Sequence, residues 1–375
     1  MPLRVASFNI SLSRPRAGQL LADLHAGAPQ IRRVAAMVRR VRPDLLLLNE
    51  FDQDGETEAL DHFCQHYLAV SDEQGGPLVY PYRYLVPCNT GQLAPVDLDG
   101  DGRLSLPGDG LGFGDFPGQY AMVLLSAYPL LVERVRSFAR LPWAAIPGAR
   151  LPDAEPGTGL ADYYSPAARA LLPLSSKNHL DLPVQVGERV LHLLLSHPTP
   201  PVFDGAERRN WLRNADEIRL WQHYLDDAPW LVDDQGGRGG LAAGASFVLL
   251  GDLNNDPAAG EGNKAAILGL LRHPRLNAAA ALGEQVPRSR GALHYAGQQH
   301  PIWRVGEPAT WTHILPLRLD YVLPSADIRV LDGGVFWPAP DEPGWAWIAD
   351  ERGRQRGSRS SDHRLVWLDL QLVAS

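Results

Sequence analysis

Two cysteines in 375 residues, Cys64 and Cys88, are too few for a disulfide-built scaffold or a Cys-rich zinc site. A single bridge between them stays open. No run approaches the roughly 18 apolar residues that a membrane-spanning helix needs, and the first residues enter a strand-like run with no signal-peptide pattern. The expected location is the cytoplasm, or outside it if a signal peptide is absent from this chain. Positive charge is short as well: 35 Lys and Arg against 43 Asp and Glu give a formal net charge of -8 at pH 7. That balance argues against a broad basic face for duplex nucleic acid, but not against small phosphate esters. Repeats and low-complexity tracts are missing too. What is present is an ordinary globular composition in which 36 Gly and 32 Pro imply long irregular connections on a scaffold with a sizeable core.

The most informative stretch is Ser246-Phe247-Val248-Leu249-Leu250-Gly251-Asp252-Leu253-Asn254. A short apolar run reads as a strand buried on both faces. Alternation puts Asp252 and Asn254 on one side at its carboxyl end, where open α/β sheets keep their chemistry. Alone, the fragment is equally well a turn. Other strand-like runs end in the same way. Leu3 to Ile10 carries Asn9 near its end, a helix over 30–41 follows, and Asp44 to Leu48 leads into Asn49 and Glu50, so strand, helix and strand form a crossover unit with Asn9 and Glu50 at equivalent tips. Arg189 to Ser196 ends in His197, and Pro198, Pro200 and Pro201 fix the backbone just beyond. Arg318 to Leu323 contains Asp320, an acid that needs a partner if buried. Asp362 and His363 precede an alternating strand over 364–373, which would start at the same rim if it ran antiparallel to the others. Residues 121–126 read as a further strand.

Helices are expected near 57–69 and over Arg209 to Leu225, where Trp211, Ala215, Ile218, Trp221 and Leu225 form a core stripe. Arg208, Arg209 and Arg213 form a solvated face or reach a phosphate. His192, inside its strand, reads as structural. Lys177 and His179 either border the site or belong to a loop. The Pro-, Gly- and Ala-rich stretch 140–175 reads as a surface excursion. Asp97, Asp99 and Asp101 alternate ahead of Gly102 like the first half of a calcium loop, but position twelve is Gly108 with Asp109 beside it, so structural Ca²⁺ and a plain acidic loop stay equally open.

Asn9, Glu50, His197, Asp252, Asn254, Asp320, Asp362 and His363 thus all fall at strand ends. Oxygen and imidazole groups without thiolates suit Mg²⁺, Mn²⁺ or Ca²⁺. In order and type, Ser7-Phe8-Asn9, Leu48-Asn49-Glu50, Ser196-His197, Gly251-Asp252-Leu253-Asn254, Leu319-Asp320-Tyr321-Val322 and Ser361-Asp362-His363 resemble the endonuclease/exonuclease/phosphatase superfamily, the DNase I-like proteins. The segments 175–179 and 197–201 look like those of a less characterised bacterial group in it. The resemblance implies a four-layer α/β sandwich of two packed mixed β-sheets flanked by helices, in one domain over 1–375 with loop insertions near 75–118 and 139–180.

It also implies divalent-metal-dependent hydrolysis of phosphoric esters, a phosphodiesterase or phosphomonoesterase acting on a small or lipid-linked ester. Asn9, Glu50 and Asp362 would hold Mg²⁺ or Mn²⁺. Asp252 would orient or deprotonate water with Asn254 positioning it, while His363, braced by Asp320, would stabilise or protonate the phosphoryl oxygens with His197 as a second imidazole opposite; the resemblance leaves either Asp252 or His363 as the general base. The substrate is a phosphate ester, with nucleic acid as a partner only in that capacity. A DNase I-like nuclease is the alternative, and a noncatalytic binding protein is a third reading that the presence of Glu50, Asp252 and His363 disfavours. A glycosidase built on Glu50 and Asp252 leaves both imidazoles unexplained.

Overall fold

The apolar runs do form strands, and their alternation decides which layers they join. The computed structural model describes residues 2–53, 57–71, 76–299 and 301–372. Its strands are β1 (Leu3–Leu12), β2 (Leu45–Phe51), β3 (Tyr82–Leu85), β4 (Met122–Ser126), β5 (Arg136–Ser137), β6 (His179–Val186), β7 (Arg189–Ser196), β8 (Phe247–Asp252), β9 (Asp320–Pro324), β10 (Ile328–Val335) and β11 (Val366–Leu372). They make a six-stranded sheet in the order β10-β11-β1-β2-β4-β3 and a five-stranded sheet in the order β5-β6-β7-β8-β9. Within each, one central pair is parallel, β1 with β2 and β7 with β8, and every other pairing is antiparallel. Residue 75, the expected start of the first insertion, and Val373, the expected end of the last strand, lie outside the described residues.

Each parallel pair needs a crossover, and helices supply it. Gln19–His25 and Pro29–Val41 lie between β1 and β2, and Arg209–Leu225 lies between β7 and β8. In the second sheet Leu193, Leu195, Val248, Leu250 and Val322 enter the core shared with Val5, Phe8, Leu46 and Leu48 of the first. Their neighbours Leu194, Phe247, Leu249, Tyr321 and Leu323 turn outward onto Ile218, Trp221, Ile267 and Leu270. Burial on both faces, at about 1.5–3 kcal/mol per large apolar side chain, makes the strands unbroken hydrophobic runs and fixes their register. The result is the four-layer sandwich. Period-two alternation then aims Asp252, two residues past Leu250, and Asp320, two before Val322, into the space between the sheets.

Several elements depart from expectation. The stretch 140–175 is a surface excursion only in its middle: residues 153–163 are exposed or half-buried, whereas Trp143, Ile146, Tyr164, Ala168, Leu172 and Leu174 on either side are buried in the outer core, and Trp143 Nε1 donates to Asp216 Oδ2 at 2.8 Å. Its apolar residues lack periodicity because they cap a helix-covered layer rather than line one regular face. Strand β6 was hidden by Pro183. That residue faces the sheet edge, where its carbonyl accepts from Leu131 N at 2.9 Å, so its missing N–H leaves no gap in the ladder. Strand β10 was hidden by Gly333 and Gly334. Cys64 and Cys88 are both free. Among the described residues no helix is long and apolar enough to cross a membrane.

Candidate active site

The strand order brings the polar tips into two facing rows. Along the first sheet run Asp362 and His363 ahead of β11, Asn9 on β1 and Glu50 on β2. Along the second run Asp320 on β9, Asp252 on β8, His197 just past β7 and Lys177 just before β6. As expected, β11 runs antiparallel to β1, with Val366 opposite Ser7, so its start reaches the rim where β1 ends.

Asp252, 1% exposed, is the centre of the cluster. Its Oδ2 lies 3.1 Å from Asn9 Nδ2, 3.5 Å from His197 Nε2 and 3.6 Å from His363 Nε2, while Oδ1 accepts from Asn254 N at 2.9 Å. Burial raises its carboxyl above the usual range, although the His363 charge and these donors pull the other way. Asn9 Nδ2 also donates to Glu50 Oε1 at 3.0 Å, and Asn9 Oδ1 accepts from Ser11 N at 3.2 Å. Asn9 therefore ties two carboxylates together through its amide N–H₂. Ser13 Oγ lies 3.3 Å from Glu50 Oε2. Desolvation raises the Glu50 carboxyl too.

His363 Nδ1 donates to Asp320 Oδ2 at 2.8 Å. Burial pulls this imidazole down, but Asp320 and Asp252 outweigh it and hold the ring protonated, at about 10. His197 is the opposite case: burial, with Lys177 and His363 nearby, pushes its ring well below the ordinary value, and its Nδ1 is buried without a partner. One imidazolium and one neutral imidazole thus flank the same carboxylate. Asn254 points its Nδ2 to Pro198 O at 3.1 Å, fastening the end of β8 to the segment after β7.

Backbone strain concentrates here. Ser11, Glu50 and Asn254 have φ of 47°, 60° and 51°, each a left-handed conformation costing about 1 kcal/mol or more outside glycine. Gly251 is required for a different reason: a Cβ there would stand 1.9 Å from Ser196 O, so only glycine lets β8 end close beside His197.

One residue at the rim escaped the sequence reading. His313 packs against His363, with ring centroids 4.4 Å apart, and its Nε2 lies 3.4 Å from Asp362 Oδ2 while Nδ1 accepts from Leu315 N. Asp362 also accepts from Ser11 Oγ at 2.5 Å. Desolvation opposes ionisation of Asp362, and His313 with the His363 charge outweighs it, leaving the carboxyl well below its ordinary range. His313 lies in a loop, so no strand periodicity pointed to it.

Other candidates stand elsewhere. His179 turns outward, bonding Ser175 Oγ and Glu217 O. His192 pairs with Asp181 at 2.9 Å, a structural role as expected. Arg208 lies over Trp211, Arg209 bonds Tyr163 and Glu207, and Arg213 is buried on the carbonyls of Leu111, Pro173 and Leu174. In the acidic loop Asp97, Asp99 and Asp109 converge, and Asp101 does not join them. Asp97 and Asp109 already accept backbone N–H groups from Gly100, Gly102, Leu98 and Ser105, so the loop is held by its own amides.

The donor set suits a divalent cation: His313, Asp362 and His363 bring ligand atoms within 4.8 Å of one another, as do Asp252, Asp320 and His363, and Glu50 is tied to Asp252 through the Asn9 amide. Hard oxygen donors and imidazoles without thiolates match Mg²⁺ or Mn²⁺ better than structural zinc.

Two packed mixed sheets with a carboxylate and imidazole cluster at their joint rim define a DNase I-like α/β sandwich. The sequence model of the Endonuclease/Exonuclease/phosphatase family matches residues 6–363, and the chain belongs to that family. Similar solved structures include an endonuclease/exonuclease/phosphatase from Beutenbergia cavernae, with 18% identity, 99% of this chain and 72% of that one covered, and a TM-score of 0.49. A family protein from Leptotrichia buccalis has 12% identity, 98% and 99% coverage and a TM-score of 0.49. Sphingomyelinase C from Streptomyces griseocarneus has 17% identity, 98% and 99% coverage and a TM-score of 0.47. No curated protein matches this chain.

Proposed function

We propose that the protein is a divalent-metal-dependent hydrolase of phosphoric esters that cleaves its substrate by direct attack of water. The observation that carries this reading is Asp252, a buried carboxylate held between a protonated imidazole, His363, and a neutral one, His197, and tied through Asn9 to Glu50. Phosphate esters resist water because their oxygens repel the nucleophile, so a catalyst must neutralise charge on the phosphoryl group and present a base. Glu50 and Asp362 would hold the cation, with Asn9 locking Glu50 to Asp252. When bound, the cation supplies charge neutralisation at the phosphoryl oxygens.

The chain's own groups account for the proton handling. Asp252, with Oδ1 fixed by Asn254 N, orients the attacking water and takes its proton. His363, kept protonated by Asp320, donates a hydrogen bond to a phosphoryl oxygen as charge builds there. His313 keeps Asp362 ionised and braces the His363 ring. His197, neutral, hydrogen-bonds the same reacting group from the other flank.

The test is hydrolysis of bis-p-nitrophenyl phosphate, p-nitrophenyl phosphate and supercoiled plasmid, each with EDTA, Mg²⁺, Mn²⁺ or Ca²⁺, and with Asp252→Asn as control. EDTA-sensitive release that disappears in the variant is expected, and the preferred substrate sorts diesterase, monoesterase and nuclease. No release from any of the three in any metal would overturn the reading.

A further inference from the structure

Lys177 lies at the far end of the second sheet's rim from Asp320. It is 7% exposed, and its ammonium makes no hydrogen bond among the described residues. A nearly buried ammonium with no hydrogen-bond partner in the protein is costly, since desolvation penalises the charge and its donors are left to whatever reaches them at the rim. Burial accordingly lowers the lysine's affinity for its proton, against the opposing fields of Glu217, Cys88, Glu50 and Asp252.

The segment that carries it is tightly built. Glu217, fully buried on the helix Arg209–Leu225, accepts from Ser176 N at 2.8 Å and Ser176 Oγ at 2.9 Å through Oε1. Its Oε2 accepts from Thr199 N at 2.6 Å, so one carboxylate fixes both the Lys177 segment and the segment after His197. Asn89 N donates to Lys177 O at 3.1 Å, Asn89 Nδ2 to Ser175 O at 2.8 Å, and Asn178 Nδ2 to Pro87 O at 3.0 Å. Glu217 is thereby spent on backbone and hydroxyl donors and does not pair with the ammonium. Strand β6 stands two positions from β8, roughly 10 Å away at ordinary strand spacing, a gap of the size that a lysine side chain and a phosphoryl group span together.

We propose that Lys177 binds a non-bridging oxygen of the phosphoryl group in the active site, from the end of the rim opposite Asp320 and His363. That the site is catalytic rests on the hydrolase reading; the anion contact itself does not. An ammonium and a phosphoryl oxygen form a charge-assisted hydrogen bond, and the anion supplies the missing partner. A rigid segment that holds the donor in place keeps the ordering cost of that bond small.

Inorganic phosphate is the probe, titrated calorimetrically into the Mg²⁺-loaded wild-type protein and into Lys177→Met. The expected result is millimolar or tighter binding by the wild type and a loss of about ten- to hundredfold in the variant. The variant should melt no lower than the wild type, because an unpaired buried charge has been replaced by an apolar side chain of similar length. Lys177→Gln carries the same expected loss and serves if the Met variant does not fold. Equal phosphate affinity in wild type and variant overturns the contact, as does no phosphate binding by the wild type. Ester cleavage with equal phosphate affinity removes Lys177 alone, whereas phosphate binding that depends on Lys177 without cleavage of any ester removes the hydrolase reading and leaves the contact standing.

Discussion

The His179 imidazole lies beneath the rim with Nε2 2.9 Å from Glu217 O and Nδ1 2.8 Å from Ser175 Oγ. A carbonyl only accepts, so Nε2 carries the proton and Nδ1 takes the Ser175 hydroxyl. Burial drives its pKa down from 6.5 to about 4, with Glu217 opposing. The folded-state value is below the unfolded one, so between the two the unfolded chain binds the extra proton. Stability is therefore present in full above pH 6.5 and is lost as pH falls through the window from 6.5 to 4. With these two values the loss between pH 7 and pH 5 is about 2 kcal/mol. His179→Gln, which can still donate an amide N–H to Glu217 O, has no proton to gain in that window. Urea unfolding of both proteins at pH 7 and pH 5 should show the gap between wild type and variant shifting by about 2 kcal/mol in the variant's favour at pH 5. Other titrating groups are common to both proteins and cancel in the comparison. A gap that is the same at both pH values would refute the assignment of a neutral buried His179.

At the candidate active site, Asp252→Asn should lower turnover on the best p-nitrophenyl ester by about a hundred- to a thousandfold, with a melting temperature unchanged or raised, since a buried carboxylate is replaced by its neutral isostere. Glu50→Gln should move the Mg²⁺ activation curve to higher concentration; an unchanged curve would take Glu50 out of the cation site. Glu217→Ala removes the acceptor of three hydrogen bonds at a buried site and should cost roughly 3 kcal/mol in unfolding experiments, with losses under 1 kcal/mol ruling out the clamp.

Strand tips were legible in the sequence because the strands behind them are buried on both faces. Leu45 to Leu48 or Val248 to Leu250 has no other comfortable fate, and the polar residue that ends such a run stands at a rim. That logic placed Glu50, His197 and Asp252 without reference to any family. It could not reach His313 or fix the role of Lys177, which arrive on irregular segments whose paths are set by contacts such as Glu217 with Ser176. It also missed β6, where Pro183 imitates a strand breaker and is harmless only because the edge of the sheet happens to lie on its side. Which sheet a strand joins, and hence that two rows of tips face each other, was supplied by the resemblance and not by periodicity.

The pairing of β1 with β11 has a consequence for how the protein comes into being. Arg4 and Asp369 form a bidentate ion pair across nearly the whole sequence, and Asp362 and His363 enter the site on the segment leading into β11. A chain emerging from the ribosome therefore carries Asn9 and Glu50 long before their counterparts exist. Closing so long a loop is slow relative to local helix and hairpin formation. Until it closes, the first sheet has an open edge at β1 and the cluster has no imidazolium, so a chain that stops short of His363 lacks the carboxylate–imidazolium pair and leaves β1 free to mispair.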